Sequence, residues 1–123
     1  MNPALAGTWE MIRAELGGEQ SPELIALRIE LEFAANAYTV RFGGQIADRG
    51  TVEAHSPAAF TLTSTDGPNR GRVIPCLYQL AGDRLRICFG MDGSKPENYS
   101  TAKSSNYLAT YRRTEPPHKF AAE

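Results

Sequence analysis

Period-two alternation runs through most of the chain. In LIALRIELEF, Leu27, Ile29, Leu31 and Phe33 fall on one face and Arg28, Glu30 and Glu32 on the other. That is the pattern of a strand with one face buried and one face wet. Ala34-Ala35-Asn36 turns the chain, and Tyr38, Val40 and Phe42 then alternate with Thr39 and Arg41. FGGQ is a second turn, and IADRGTVEA alternates weakly, with Gly50 placed for a bulge or bend. SPA breaks that strand, and AFTLTST puts Phe60 and Leu62 on one face of the next. DGPNRG is dense in turn residues. RVIPCLYQL and RLRICFG form a hairpin, MDGSKPEN is the longest loop, YSTA reads as a short strand, and NYLATYRR is the last strand. SPELIAL carries one turn of helix-start chemistry at Ser21-Pro22-Glu23, but strand signals take over from Ile25. Eight strands, nine with the weakest, joined by short turns predict an all-β antiparallel sandwich or barrel.

The hairpin around LAGDRL fixes its own register. With Gly82-Asp83 as a two-residue turn, Leu80 opposes Leu85 and the apolar sets Ile74, Tyr78, Leu80 and Leu85, Ile87, Phe89 share one face. That pairs Cys76 with Phe89 and Leu77 with Cys88, so the two thiols point to opposite sides of the sheet. A one-residue slip would bring them together only by turning an apolar face outward. Two free thiols are expected, in keeping with a reducing compartment. Pro75 cannot donate to a ladder, which predicts a bulge or an edge position there.

Composition narrows the class. At 123 residues the chain makes one domain large enough for a core without staples. Thirteen basic against 14 acidic residues leave no basic face to displace counterions from phosphates, which argues against a nucleic-acid partner. No apolar run approaches a membrane span, and the first residues lack a leader's basic and apolar regions. The cytoplasm is the default location, although a secreted form stripped of its leader would read the same way. Residues 1–115 are expected to form the domain and 116–123 a mobile tail.

The only tryptophan opens the first strand as Gly7-Thr8-Trp9. A Gly-x-Trp start on an eight-stranded antiparallel chain resembles the signature of lipocalin-like, or calycin, barrels. The resemblance implies an up-and-down barrel whose closed end is plugged by Trp9, with Arg112 or Arg113 from the last strand packed across the indole. Further motifs resemble a bacterial uncharacterised domain family first described from planctomycetes, related to the lipocalins. They are the Gly67-Pro68-Asn69-Arg70-Gly71 turn, LYQLAGDRLRICF, and Gly93-Ser94-Lys95-Pro96-Glu97-Asn98-Tyr99. IPC before Leu77-Tyr78 departs from that pattern, where glycine is commoner, and so does Lys95, where arginine is commoner. The resemblance implies a barrel and no particular activity.

Chemistry-bearing clusters are sparse. His55 and His118 are far apart and no zinc spacing occurs, so no metal or cofactor is expected. GPNRGR lacks the Lys-Ser/Thr and helix of a phosphate loop. Cys88 has no local base to activate it and reads as a small hydrophobe. If Trp9 points inward, strict alternation carries Met11, Arg13 and Glu15 inward too. Either a bulge resets the pattern and turns Ile12 in, or Arg13 and Glu15 line the mouth.

The first functional reading is a short barrel binding a small, mostly apolar molecule with one polar or anionic group. Tyr38, Phe42, Phe60, Tyr78, Phe89 and Tyr107 would line it, with Arg13, Lys95 and Tyr99 at its polar end. One rival is a small barrel enzyme for an isomerisation or cyclisation, using an inward Glu15 or Tyr78 as acid or base. Another is a side-chain-filled barrel acting on a protein through an edge near Pro75 or the loop at 91–98. Oligomeric state is left open.

Overall fold

The computed structural model describes residues 2–55 and 58–115. The expected tail at 116–123, with His118, lies outside the described residues, as do Ser56 and Pro57 of the break after the fourth long strand. A 3₁₀ turn, Pro3–Leu5, leads into β1 (Gly7–Leu16). There follow β2 (Glu19–Gln20), α1 (Pro22–Ala26), β3 (Ile29–Ala34), β4 (Ala37–Phe42), β5 (Gln45–Ala54) and β6 (Ala59–Asp66). β7 (Val73–Ala81), β8 (Arg84–Gly90) and β9 (Asn106–Glu115) complete the chain. Each long strand pairs antiparallel with the next, and β1 pairs with both β3 and β9, so the sheet closes into an eight-stranded up-and-down barrel. The short β2 is an extra hairpin arm on β1.

Alternation decides what faces inward. Paired residues share a face, and the chain of pairs Leu31↔Val40, Phe60↔Cys76, Cys76↔Phe89 and Phe89↔Tyr107 runs round the interior. Leu31, Phe33, Phe60, Leu85, Ile87 and Ala109 are fully buried. The β7–β8 hairpin has the expected register, Leu80↔Leu85, Cys76↔Phe89 and Leu77↔Cys88, and both cysteines are free. Cys76 faces the core and burial pushes its thiol up. β7 is flanked by β6 and β8 and is no edge. Pro75 lies one residue beyond the end of the β7–β8 ladder, where the ring interrupts no rung on that side.

Three details depart from the sequence reading. β3 begins at Ile29, not Ile25, because Ser21 with Pro22 at the first helical position starts a real helical turn through Ala26. Arg28, at φ 56°, then redirects the chain and leaves Leu27 exposed. YSTA is loop, and the ninth strand is β2. In β1 a register shift between Met11 and Arg13 resets the alternation, so that Ala14, not Ile12 or Arg13, follows Met11 into the core.

The closed end is built from both ends of the chain. Trp9 is fully buried, its indole N–H donates to the Leu5 carbonyl at 2.9 Å, and Leu5 itself is buried beneath the barrel. Arg113, not Arg112, lies over the indole, 4.3 Å from the ring centre. It also donates to the Ala6 and Ala4 carbonyls at 2.8 and 2.7 Å. Arg112 instead reaches out to Glu10 at 2.9 Å, a pair in which both side chains are about half exposed. Arg113→Ala should therefore cost ~2 kcal/mol, as the cation–π contact and the charge-assisted bonds to the Ala4 and Ala6 carbonyls are lost together. Arg112→Ala should stay within ~0.5 kcal/mol. Urea denaturation of the two variants checks the contrast.

Candidate functional site

The two ends of the barrel differ in kind. At the closed end Phe60 packs edge-on to Phe33 (5.7 Å) and stacks on Tyr78 (5.2 Å), above Leu5 and Trp9. Sequence reasoning expects Phe60 and Tyr78 to line a pocket, but the structure places both in this packed floor. At the other end the apolar side chains thin out into an exposed rim. Leu16, Leu27, Phe42, Ile46 and Val73, the large apolar side chains that stay exposed among the described residues, all belong to strand ends or approaches at this end. Leu16 and Phe42 are on inward-facing positions, paired with Tyr107 and Ile29 respectively. Phe89 and Tyr107 stack at 5.1 Å just inside. Burial pushes the Tyr107 hydroxyl up to about 12, so it stays a neutral donor, pointed at the Met11 sulfur at 3.5 Å.

α1 hangs over this mouth. Leu24 and Ile25 pack against the core, and a groove of about 480 Å³ runs between α1 and the bulged stretch of β1. Arg13 is exposed and borders that groove from the outside of β1 instead of pointing down the barrel, because the bulge has turned it out. Glu15 is also on the outer face. It accepts a hydrogen bond from buried Thr101 at 2.7 Å, and Thr101 in turn accepts from the Gly18 N–H at 2.8 Å.

That contact anchors the long loop between β8 and β9, which folds back over the outer wall. Gly90 permits the fold-back, since a Cβ there would overlap the Ser94 carbonyl oxygen. Pro96 and Thr101 are buried, and Cys88 on the outer face of β8 is sealed as well. Tyr99 packs on this wall with the Arg86 guanidinium 5.0 Å from its ring, and Lys95 is exposed in the same loop. Neither residue faces the barrel's interior, which corrects their expected place at the polar end of a pocket. The physical reason is the three-residue apolar run Ile87-Cys88-Phe89, which needs cover on both faces and draws the loop across the outside.

The interior does carry a polar group, one that sequence reasoning passed over. Asp48 pairs with Val40 and so shares the inward face of β5. Its two oxygens accept from the Tyr38 hydroxyl at 2.9 Å and from the Ser64 hydroxyl at 2.6 Å. Tyr38 and Ser64 are both buried, and Asp48 is half-buried. Burial, then the bond and charge of Asp48, raise the Tyr38 hydroxyl far above its ordinary value and keep it a donor. Gly50, paired with Tyr38, gives the ring room. A Cβ on Gly50 would overlap both the Thr63 carbonyl oxygen and the tyrosine ring. The signal was present in the alternation: counting back from Val52 puts Gly50 and Asp48 indoors, and counting on from Phe60 and Leu62 puts Ser64 there. Among the described residues no group of three His, Cys, Asp or Glu side chains is placed to hold a metal ion.

The fold and its mouth define a class: an all-β, antiparallel up-and-down barrel, closed at one end. A solved structure of that class is similar to this chain, a de novo designed fluorescence-activating β-barrel. It shares 21% sequence identity, the match covers 93% of this chain and all of the designed one, and the TM-score is 0.50. No family model and no curated protein matches the sequence. No described helix is long and apolar enough to cross a membrane.

Proposed function

We propose that this chain is a lipocalin-like barrel that binds a small, mostly apolar molecule in its open half. The observation that carries the reading is the asymmetry of the barrel. Large apolar side chains are buried at the floor, while those left exposed gather round the mouth, with Leu16 and Phe42 turned inward. Such side chains lose contact with water only when something apolar sits among them. The indole–guanidinium plug at the other end supports the lipocalin-like assignment. The hairpin and fold-back loop support kinship with the planctomycete domain family. The designed barrel is described as fluorescence-activating, which makes a fluorogenic dye a natural probe for this fold.

Nile red, a neutral apolar dye, tests the reading. Its emission should rise saturably on titration. Phe42→Asp should weaken binding at least ~10-fold, because a charge replaces an apolar wall worth more than ~1.4 kcal/mol. Tyr99→Ala, on the outer wall, should leave the affinity unchanged. No saturable binding, or binding indifferent to Phe42→Asp, would remove the mouth as the site.

A further inference from the structure

We infer that the molecule taken by this barrel carries a cationic, alkylammonium-type group, and that Asp48 is its counter-ion. The inference rests on the open half being a binding site and adds the chemistry of what binds there. A carboxylate offers about four acceptor positions. Tyr38 and Ser64 use one on each oxygen, which leaves half the capacity open and fixes the group's orientation.

Among the described residues no cation of the protein forms an ion pair with this carboxylate. The neighbouring Arg49 falls on the other face of β5, and its guanidinium is held by Asp66 at 2.8 Å. Arg13, the cation expected inside, is turned out by the bulge in β1. An inward carboxylate with two neutral donors and no counter-charge favours a positive group over a neutral one, and a neutral one over an anion. The polar or anionic group expected from the sequence is therefore read here as a cationic one.

The carboxylate is also reachable. The β5–β6 ladder ends at Arg49↔Asp66, where β6 itself ends. A cleft of about 180 Å³ is lined there by residues 46–49 and 66–68, with Asp48 in its wall, the Arg49–Asp66 ion pair beside it, and Ile46 and Pro68 as apolar flanks. On the inner side, Phe42 lies two residues nearer the mouth than Val40, the partner of Asp48, and shares its inward face, so an apolar tail on a head group at Asp48 has an apolar neighbour there. The donor set suits an organic ammonium better than a metal ion, since the companions of Asp48 are hydroxyls that already donate to it.

Decylamine, decanol and decanoate share a chain length and differ in charge at neutral pH, so competition among them against Nile red isolates the head group. Decylamine should displace the dye at a concentration at least ~10-fold below decanol, and decanoate should be weakest. In Asp48→Asn the amine-to-alcohol ratio should fall to within ~3-fold of one, with a melting temperature showing that the variant is folded. Tyr38→Phe takes one donor off the carboxylate and keeps its charge, so the amine preference should persist or grow. Parity between amine and alcohol in the parent, an amine preference that survives Asp48→Asn, or parity in Tyr38→Phe would each overturn the inference. Calorimetric titration with decylamine separates the two readings. If Nile red fails to bind but decylamine binds with sensitivity to Asp48→Asn, the apolar mouth falls and the counter-ion stands. If neither binds, both fall.

Discussion

Gly50→Ala should cost at least ~3 kcal/mol, a large share of the stability of a domain of this size. A methyl group at this position meets the Thr63 carbonyl oxygen on one side and the Tyr38 ring on the other. Neither can retreat cheaply. The carbonyl is backbone of the neighbouring strand, and the tyrosine is held at its far end by Asp48. The register of β5 against β6 shifts between Arg49 and Gly50, so the strand bends where the side chain is missing. Gly82→Ala is the comparison: its φ of 61° costs strain, but no atom stands in the way, and a loss of ~1 kcal/mol is expected. Urea unfolding of both variants measures the difference. A Gly50→Ala protein within ~1 kcal/mol of the parent would show that β5 does not make this bend.

Trp9→Ala should be comparably severe, at ~3–5 kcal/mol. The indole is fully buried, and its removal also orphans the Leu5 carbonyl and takes away the surface on which Arg113 rests. The floor could not close over the gap, because Phe60 is already in ring contact with both Phe33 and Tyr78. Since Trp9 is the only tryptophan, far-UV circular dichroism must report the transition. Trp9→Phe, which keeps an apolar ring but no N–H donor, should fall between the parent and alanine. A Trp9→Ala melting curve unchanged from the parent would contradict the plug.

Much of the barrel was legible because two signals agreed. At Gly82-Asp83 the turn chemistry and the apolar alternation on both sides demand one register, and the structure has it. Where one signal stood alone, the reading drifted. Five residues are too few for helical periodicity to show, so the sequence assigns part of α1 to β3 although Ser21-Pro22-Glu23 marks its start. The bulge at Ile12 was one of two options that energy allowed, and only the pairing with β9 decides that Ala14 turns in. Asp48 and Ser64 are hidden in the sequence for a different reason. A polar residue on a weakly alternating strand reads as solvent-facing, and its true face appears only when the parity is counted from the apolar residues farther along. The sequence cannot place Tyr99 and Lys95, because a loop's landing place depends on what needs cover, here Cys88, and not on its own composition.

The seam between β1 and β9 has a consequence for biosynthesis. Residues such as Met11 and Tyr111 are neighbours in the sheet but lie far apart along the chain, so β9 is made long after β1. Until β9 has left the ribosome, the nascent chain holds a curved ribbon whose two borders both offer free amides and carbonyls. Such a ribbon invites pairing with other unfinished chains. The last strand thus acts as a zip fastener, and the slow event in folding should be the meeting of the two far borders rather than the formation of any single hairpin.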